Sequence, residues 1–175
     1  MSKISLMKKI IITFLVLSFL LISLPLASSC ADSDSPIRIH IRANSDVAED
    51  QAVKFIVRDE VVDYISTLLS GVKGRAEAYN RLAIGLGKIE KTASKKLSDC
   101  GFGYGAKARL AYEYFPDRDY GEMSYPAGYY DALIVELGSG KGGNWWCVAY
   151  PPLCFYGNQA EEFEYSSIIA EILGL

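Results

Sequence analysis

His40 is the only histidine in the 175-residue chain, so any proton transfer near neutral pH would have to run through it. Cysteines stand at positions 30, 100, 147 and 154. A thiol paired with an imidazole is the apparatus of a thiol hydrolase: the ring takes the proton and the thiolate attacks. Its two members are often remote in sequence. Cys147 is the candidate nucleophile, and it can serve only if it is not already joined to Cys154. The other reading of His40 is a strand histidine hydrogen-bonded to the turn that follows it. Cys147 and Cys154 are close enough to bridge across a turn, which would constrain the unfolded chain by roughly 2–3 kcal/mol. Otherwise they are two buried thiols, which cysteine tolerates well. Cys100 has no evident partner.

Other chemistries fit less well. One histidine and two cysteines could offer three soft ligands, yet no Cys-x-x-Cys or His-x-x-x-His spacing exists, and no metal site is assigned. Asp46, Glu49, Asp50 and Asp59 read as helix-start and surface carboxylates. Gly138–Gly143, GSGKGG, contains G-x-G-x-x-G after a strand. That fingerprint holds a pyrophosphate only when it opens a helix, and here it runs into Trp145 and Trp146. A Walker A reading also fails, because Gly142 follows Lys141 where Ser or Thr is needed. The segment reads as a hairpin loop, and no cofactor is expected.

The elements that must position these residues begin after a targeting segment. Lys3, Lys8 and Lys9 precede the apolar run Ile10–Leu24, the pattern of a secretory signal. The run is short for a bilayer span, although residues 10–27 reach the lower edge and would then act as an uncleaved anchor. Cys30 adds lipid attachment as a third fate. Residues 1–31 are assigned to the signal peptide or anchor and 32–175 to one domain outside the cytoplasm. Removing residues 1–31 takes three lysines and no acids from 18 basic and 21 acidic residues, leaving 15 − 21 = −6. An acidic domain argues against nucleic acid as partner and against docking on anionic lipid, so the membrane is reached only through the N-terminal segment.

Ile37, Ile39 and Ile41 alternate with Arg38, His40 and Arg42, the period of a strand with one buried face. A turn at Ala43–Ser45 leads to a helix from Asp46, capped with Glu49, to about Ser70. Gly74 opens a second helix. Ala106–Phe115 alternates as an amphipathic strand, Pro116–Met123 reads as a polar loop, and Tyr129–Leu137 with Trp145–Tyr150 reads as a hairpin. Tyr129–Leu137 is apolar at nearly every position, which implies burial on both faces. Glu161–Leu173 is a last helix. The order predicts an α+β fold: a small mixed, mainly antiparallel sheet with two long helices and a C-terminal helix mostly on one face.

The aromatic corner after Gly143 is the candidate contact surface. Pro151 and Pro152 end the ladder there, and Trp145, Trp146, Tyr150 and Phe155, with Asn144 leading in, are the partner-binding candidates. Neighbouring strand residues point to opposite faces, so one tryptophan can be core while the other is outside, unless a helix covers that face too.

Two blocks, IRIHIRANSDVAEDQAVKFIVRDEV at Ile37–Val61 and the stretch Tyr125–Phe155 with its GKGGNWWCVAYPPLCF, resemble the stage II sporulation protein R family. The resemblance implies a protein made in the forespore and exported into the space between the two membranes. It would activate a membrane-embedded aspartic protease of the mother cell, which processes a sporulation sigma-factor precursor. It implies a signal with no substrate of its own. Arg38, His40, Asn44, Ser45, Asp46, Asp50, Arg58 and Asp59 fall on the first block of the family pattern. Tyr125, Pro126, Gly128, Lys141, Pro151 and Pro152 fall on the second, with Cys147 and Cys154. The alternative is a secreted cell-wall hydrolase using His40 and Cys147, or a glycan-binding module using the Trp145–Trp146 corner.

Overall fold

β-branched and apolar residues at every second position make β1 (Ile37–Arg42) a strand, and two helices follow it, α1 (Ala48–Leu68) and α2 (Arg75–Asp99). Then come β2 (Ala106–Phe115), β3 (Arg118–Tyr120), β4 (Met123–Tyr125), β5 (Gly128–Leu137) and β6 (Asn144–Tyr150). These elements come from a computed structural model that describes residues 35–121 and 123–153, together with Ile12. Apart from Ile12, the segment expected to target the chain lies outside the described residues, as do Cys154, Phe155 and the helix expected at Glu161–Leu173. By compactness the chain divides into Met1–Asp32 and Ser33–Leu175, and both helices and all six strands belong to the second unit. Among the described residues no helix is long and apolar enough to cross a membrane.

The fold is α+β, with a mixed, mainly antiparallel four-stranded sheet in the order β2-β5-β1-β6. β1 runs parallel to β5 and antiparallel to β6, and β2 runs antiparallel to β5. The helices cover the face that carries Ile37, Ile39, Ile41, Leu133, Val135 and Leu137, where Val53, Val57, Val61, Leu82, Ile89 and Leu97 complete the core.

The pairing of β5 with β6 is a correction. They do not form a hairpin: β1 lies between them. Local sequence favours pairing of neighbours, but β1 offers each of them an edge of β-branched residues, and a strand held between two others has ladder partners on both edges. The connector Gly138–Gly143 therefore crosses the end of β1. The central position of β5 also explains its apolar run, since Ala132, Leu133, Ile134 and Val135 are all fully buried.

Three smaller differences stem from tertiary contacts. Pro116–Met123 is not plain loop, because β3 and β4 form a short antiparallel ribbon. The N-cap of α1 is Val47 without a side-chain cap bond, so Asp46 does not form the capping box. β1 is buried on both faces, Arg38 and His40 included.

Candidate functional site

The face of the sheet turned away from the helices carries the polar residues of β1. Arg38 is fully buried. Its guanidinium carbon lies 4.8 Å from the Phe115 ring, 5.2 Å from Tyr130, 5.3 Å from Tyr125 and 5.6 Å from Tyr120. Ring faces are negative, so this cage stabilises a cation without a carboxylate. Nε donates to the Cys147 carbonyl at 3.2 Å and Nη2 to the Tyr120 hydroxyl at 3.0 Å. That hydroxyl in turn donates to the Trp146 carbonyl at 3.2 Å. Nη1 is buried with no hydrogen-bond partner among the described residues. The ribbon β3–β4 thus lies over this face, pinned by Tyr120 and Tyr125 to Arg38 and by the Arg118 guanidinium 4.5 Å above the Trp146 ring.

His40 lies next along the strand, stacked on Trp146 at 5.4 Å and edge-on to Phe115 at 5.8 Å. Both ring nitrogens are occupied: Nδ1 is 3.1 Å from Glu113 Oε2 and Nε2 is 2.8 Å from Asn144 Oδ1. Burial is the largest influence on the ring and holds its pKa below the ordinary value, against the two side-chain bonds. A neutral ring keeps both bonds if Nδ1 donates to Glu113 and the Asn144 amide is turned to donate to Nε2. Arg42 binds both Glu113 and Glu136, the latter at 2.8 Å. Burial pushes the Glu113 carboxyl up, but the His40 bond and the Arg42 charge outweigh it and leave the pKa lowered.

This geometry separates the pair that a thiol hydrolase needs. Across the β1–β6 ladder Ile39 pairs with Cys147 and His40 with Trp146. Paired residues share a face, so Cys147 points to the helix side and His40 to the other. The His40–Cys147 dyad is thereby excluded in this fold. Among the described residues, no three of His, Cys, Asp and Glu lie together as a metal-holding group.

A second junction joins the turn after β1 to the crossing connector. Asp50, near the start of α1, is buried rather than a surface carboxylate. It accepts bonds from Asn44 Nδ2 at 2.8 Å, Ser45 Oγ at 2.6 Å and the Tyr104 hydroxyl. Burial raises its pKa, and the bonds from Ser45, Tyr104 and Asn44 more than offset that. Burial likewise pushes the Tyr104 phenol up, with the Asp50 bond adding to it. Asn44 then reaches the connector: its Oδ1 accepts the Ser139 N–H at 2.9 Å and its carbonyl accepts Ser139 Oγ at 2.6 Å. Gly142 N–H bonds the Ala43 carbonyl at 2.9 Å, and Lys54 Nζ bonds the Gly143 carbonyl at 3.2 Å. A Cβ on Gly142 would stand 2.1 Å from the Ser45 carbonyl oxygen, so only glycine permits this approach. The G-x-G-x-x-G string is thus a crossing clamp, with the amides of Gly138 to Gly142 spent on protein.

The remaining candidates sort by location. Trp145 faces the helix side, packed on the core with the Arg58 guanidinium 5.6 Å away, while Trp146 faces the ribbon; both are half-buried. Tyr150 is half-buried against the core, and Asn144 is exposed. Arg58 also pairs with Asp59 at 2.6 Å. Asp46 and Lys141 are exposed. The Pro126 carbonyl accepts the Tyr130 hydroxyl at 2.7 Å, and Gly128 opens β5 opposite Phe115. Pro151 and Pro152 form the turn that follows β6. The Cys147–Cys154 link and Phe155 extend outside the described residues. Sequence reasoning missed Glu113, Tyr104, Tyr120 and Arg118. Glu113 stood on the charged side of β2, level with the polar side of β1, and that match was the available signal.

Among known proteins, a family model described as stage II sporulation protein R (spore_II_R) matches residues 33–160. A Bacillus subtilis (strain 168) protein described as stage II sporulation protein R is 38 % identical over 122 residues, 70 % of this chain and 54 % of that protein. The chain thus spans about half the length of this curated relative. No solved structure matches.

Proposed function

This chain belongs to the stage II sporulation protein R family, and from that premise we propose that it is an intercellular signal of endospore formation. In this reading it is exported from the forespore into the intermembrane space, with residues 10–27 as signal or anchor. There it activates a membrane-embedded aspartic protease of the mother cell, which then processes a sporulation sigma-factor precursor. It acts by binding rather than by catalysis. The observation that carries this is the fate of the polar residues: His40, Asp50 and the connector amides from Gly138 to Gly142 have protein partners, so the two sequence blocks spend their chemistry on holding one shape. The partner-facing element is the corner Asn144–Tyr150 with Phe155 beyond it, held by a Cys147–Cys154 link. Preorganised aromatic anchors lose less entropy on association, which supports that choice.

The test is placement. A chain lacking residues 1–29 should fold in the forespore cytoplasm and fail to trigger precursor processing, while the whole chain triggers it. Full processing driven by the truncated chain, verified to remain inside, would remove the export step and with it the signalling role.

A further inference from the structure

The outer edge of β2 is capped over half its length and bare over the rest. β2 ends the sheet order, so among the described residues no strand lies beyond it. The Ala106 and Ala108 N–H groups turn outward and are accepted by Ser94 Oγ at 2.9 Å and Glu90 Oε2 at 3.2 Å, both on α2. Register with β5 is unbroken from Ala106 opposite Leu137 to Phe115 opposite Gly128. Residues of an antiparallel strand alternate between bonding inward and outward. Leu110, Tyr112 and Tyr114 therefore also direct N–H and C=O outward, and these groups meet no partner among the described residues. Pro116, with no N–H, closes the far end.

Exposed aromatics mark the bare half. Tyr112, Tyr114 and Tyr129 are 70 %, 56 % and 61 % exposed. Tyr129 stacks on Tyr112 at 5.6 Å and meets Tyr114 edge-on at 5.5 Å. Sheets ordinarily blunt an open edge with charge, proline or cover. Here α2 covers one half and tyrosines border the other.

We propose that this edge pairs with the same edge of a second copy of the chain, β2 on β2, antiparallel about a two-fold axis at Tyr112. In that register Tyr112 faces the partner's Tyr112, and Leu110 faces the partner's Tyr114. The fit to a second copy is self-limiting. The next outward pair would be Ala108 against the partner's Pro116, but the Ala108 N–H is already bonded to Glu90 and proline has none to give. One step further, Lys107, whose Nζ lies 3.3 Å from Glu90 at 77 % side-chain exposure, comes opposite the partner's Asp117 with no like charges facing. The bare stretch is thus symmetric about Tyr112, as an isologous contact requires. A sugar could stack on the tyrosines but would leave the alternating backbone donors and acceptors unmade. So short a contact belongs at the weak end of protein interfaces, below about 1,200 Å², so the dimer forms with rising concentration. Self-pairing does not depend on the signalling role.

Single cysteines read this register directly. Cα atoms of a hydrogen-bonded antiparallel pair lie about 5.5 Å apart, inside the disulfide range of roughly 4.4–6.8 Å. The full chain carrying Cys30→Ser and Cys100→Ser would be purified in detergent micelles, given Tyr112→Cys or Tyr114→Cys, and oxidised. Tyr112→Cys should run at twice the monomer mass without reductant. Tyr114→Cys should not, because its two copies would be roughly 13 Å apart. In addition, Tyr112→Pro removes an outward N–H without touching the β5 ladder, and should raise the concentration needed for half-dimer at least tenfold by light scattering. Equal cross-linking of both cysteine variants, cross-linking of neither, or capture of a different protein by Tyr112→Cys would each overturn self-pairing.

Discussion

Cys147 and His40 sit one ladder position apart on adjacent strands, yet their side chains leave the sheet on opposite faces, Cys147 beside Ile39 and His40 beside Trp146. The sheet itself stands between the only imidazole and the best-placed thiol. What remains around His40 is a set of hydrogen bonds that fixes β1, β2 and β6 together, and its behaviour can be forecast from that role.

His40→Gln retains a hydrogen-bonding group but no general base. Signalling should fall only as far as the folded population falls, checked by thermal melting beside precursor processing. Lost processing with an unchanged melt would restore a chemical role. The ring's pKa is depressed from 6.5 by burial. The unfolded chain therefore binds the proton more readily, and stability contributed by His40 is present above pH 6.5 and lost as pH falls below it. The glutamine variant should lack that part of the acid loss.

Arg38→Ala should cost about 3–5 kcal/mol in urea unfolding, since it empties a cage of four aromatic rings and removes the bond that the Tyr120 hydroxyl accepts. Arg38→Met refills most of the volume and meets no stranded carboxylate, so its cost should be nearer 1–2 kcal/mol, about that of the lost bonds. Equal losses would mean that the charge, not the packing, holds the ribbon.

Gly142→Ala should destabilise by more than about 2 kcal/mol because its Cβ would overlap the Ser45 carbonyl. Gly87→Ala, in the exposed middle of α2 with open space around the new methyl, should stabilise by about 0.5–1 kcal/mol. At the same junction as Gly142, Asp50 has a pKa lowered from 3.8. Its contribution should be intact above pH 3.8 and lost as pH falls below, a loss that Asp50→Asn abolishes.

Denatured without reductant, the exported chain should titrate Cys100, plus Cys30 where residues 1–31 are retained, and reduction should add two thiols. All cysteines titrating before reduction, three without residues 1–31 or four with them, would refute the Cys147–Cys154 link.

Much of this was legible from residue order. The isoleucine alternation of β1, the three- and four-residue steps of α1 and α2, and the doubly apolar β5 follow from local periodicity, which survives folding. Pairing does not. The insertion of β1 between β5 and β6 depends on a crossing clamp whose bonds join residues 43–45 to 139–143, a separation that no window spans. Burial of polar residues was equally hidden: the Arg38–His40–Arg42 row reads as solvated until β3 and β4, each only three residues long, fold over it and Glu113 rises beside it. Asp50 reads as a helix-start acid because nothing local shows Tyr104 arriving from beyond α2. Trp145 and Trp146 do divide between the two faces, but both are half-buried, since a ribbon covers the face expected to be bare.

The most direct measurement is reconstitution. The aspartic protease and sigma-factor precursor proposed above as the chain's targets would be co-expressed in a host that does not sporulate, with and without this chain directed to the same compartment. Processed precursor should appear only with the chain and the protease together, and His40→Gln should support it as well as the native chain. Processing of equal extent without the chain, or processing by the chain in the absence of the protease, would contradict the account.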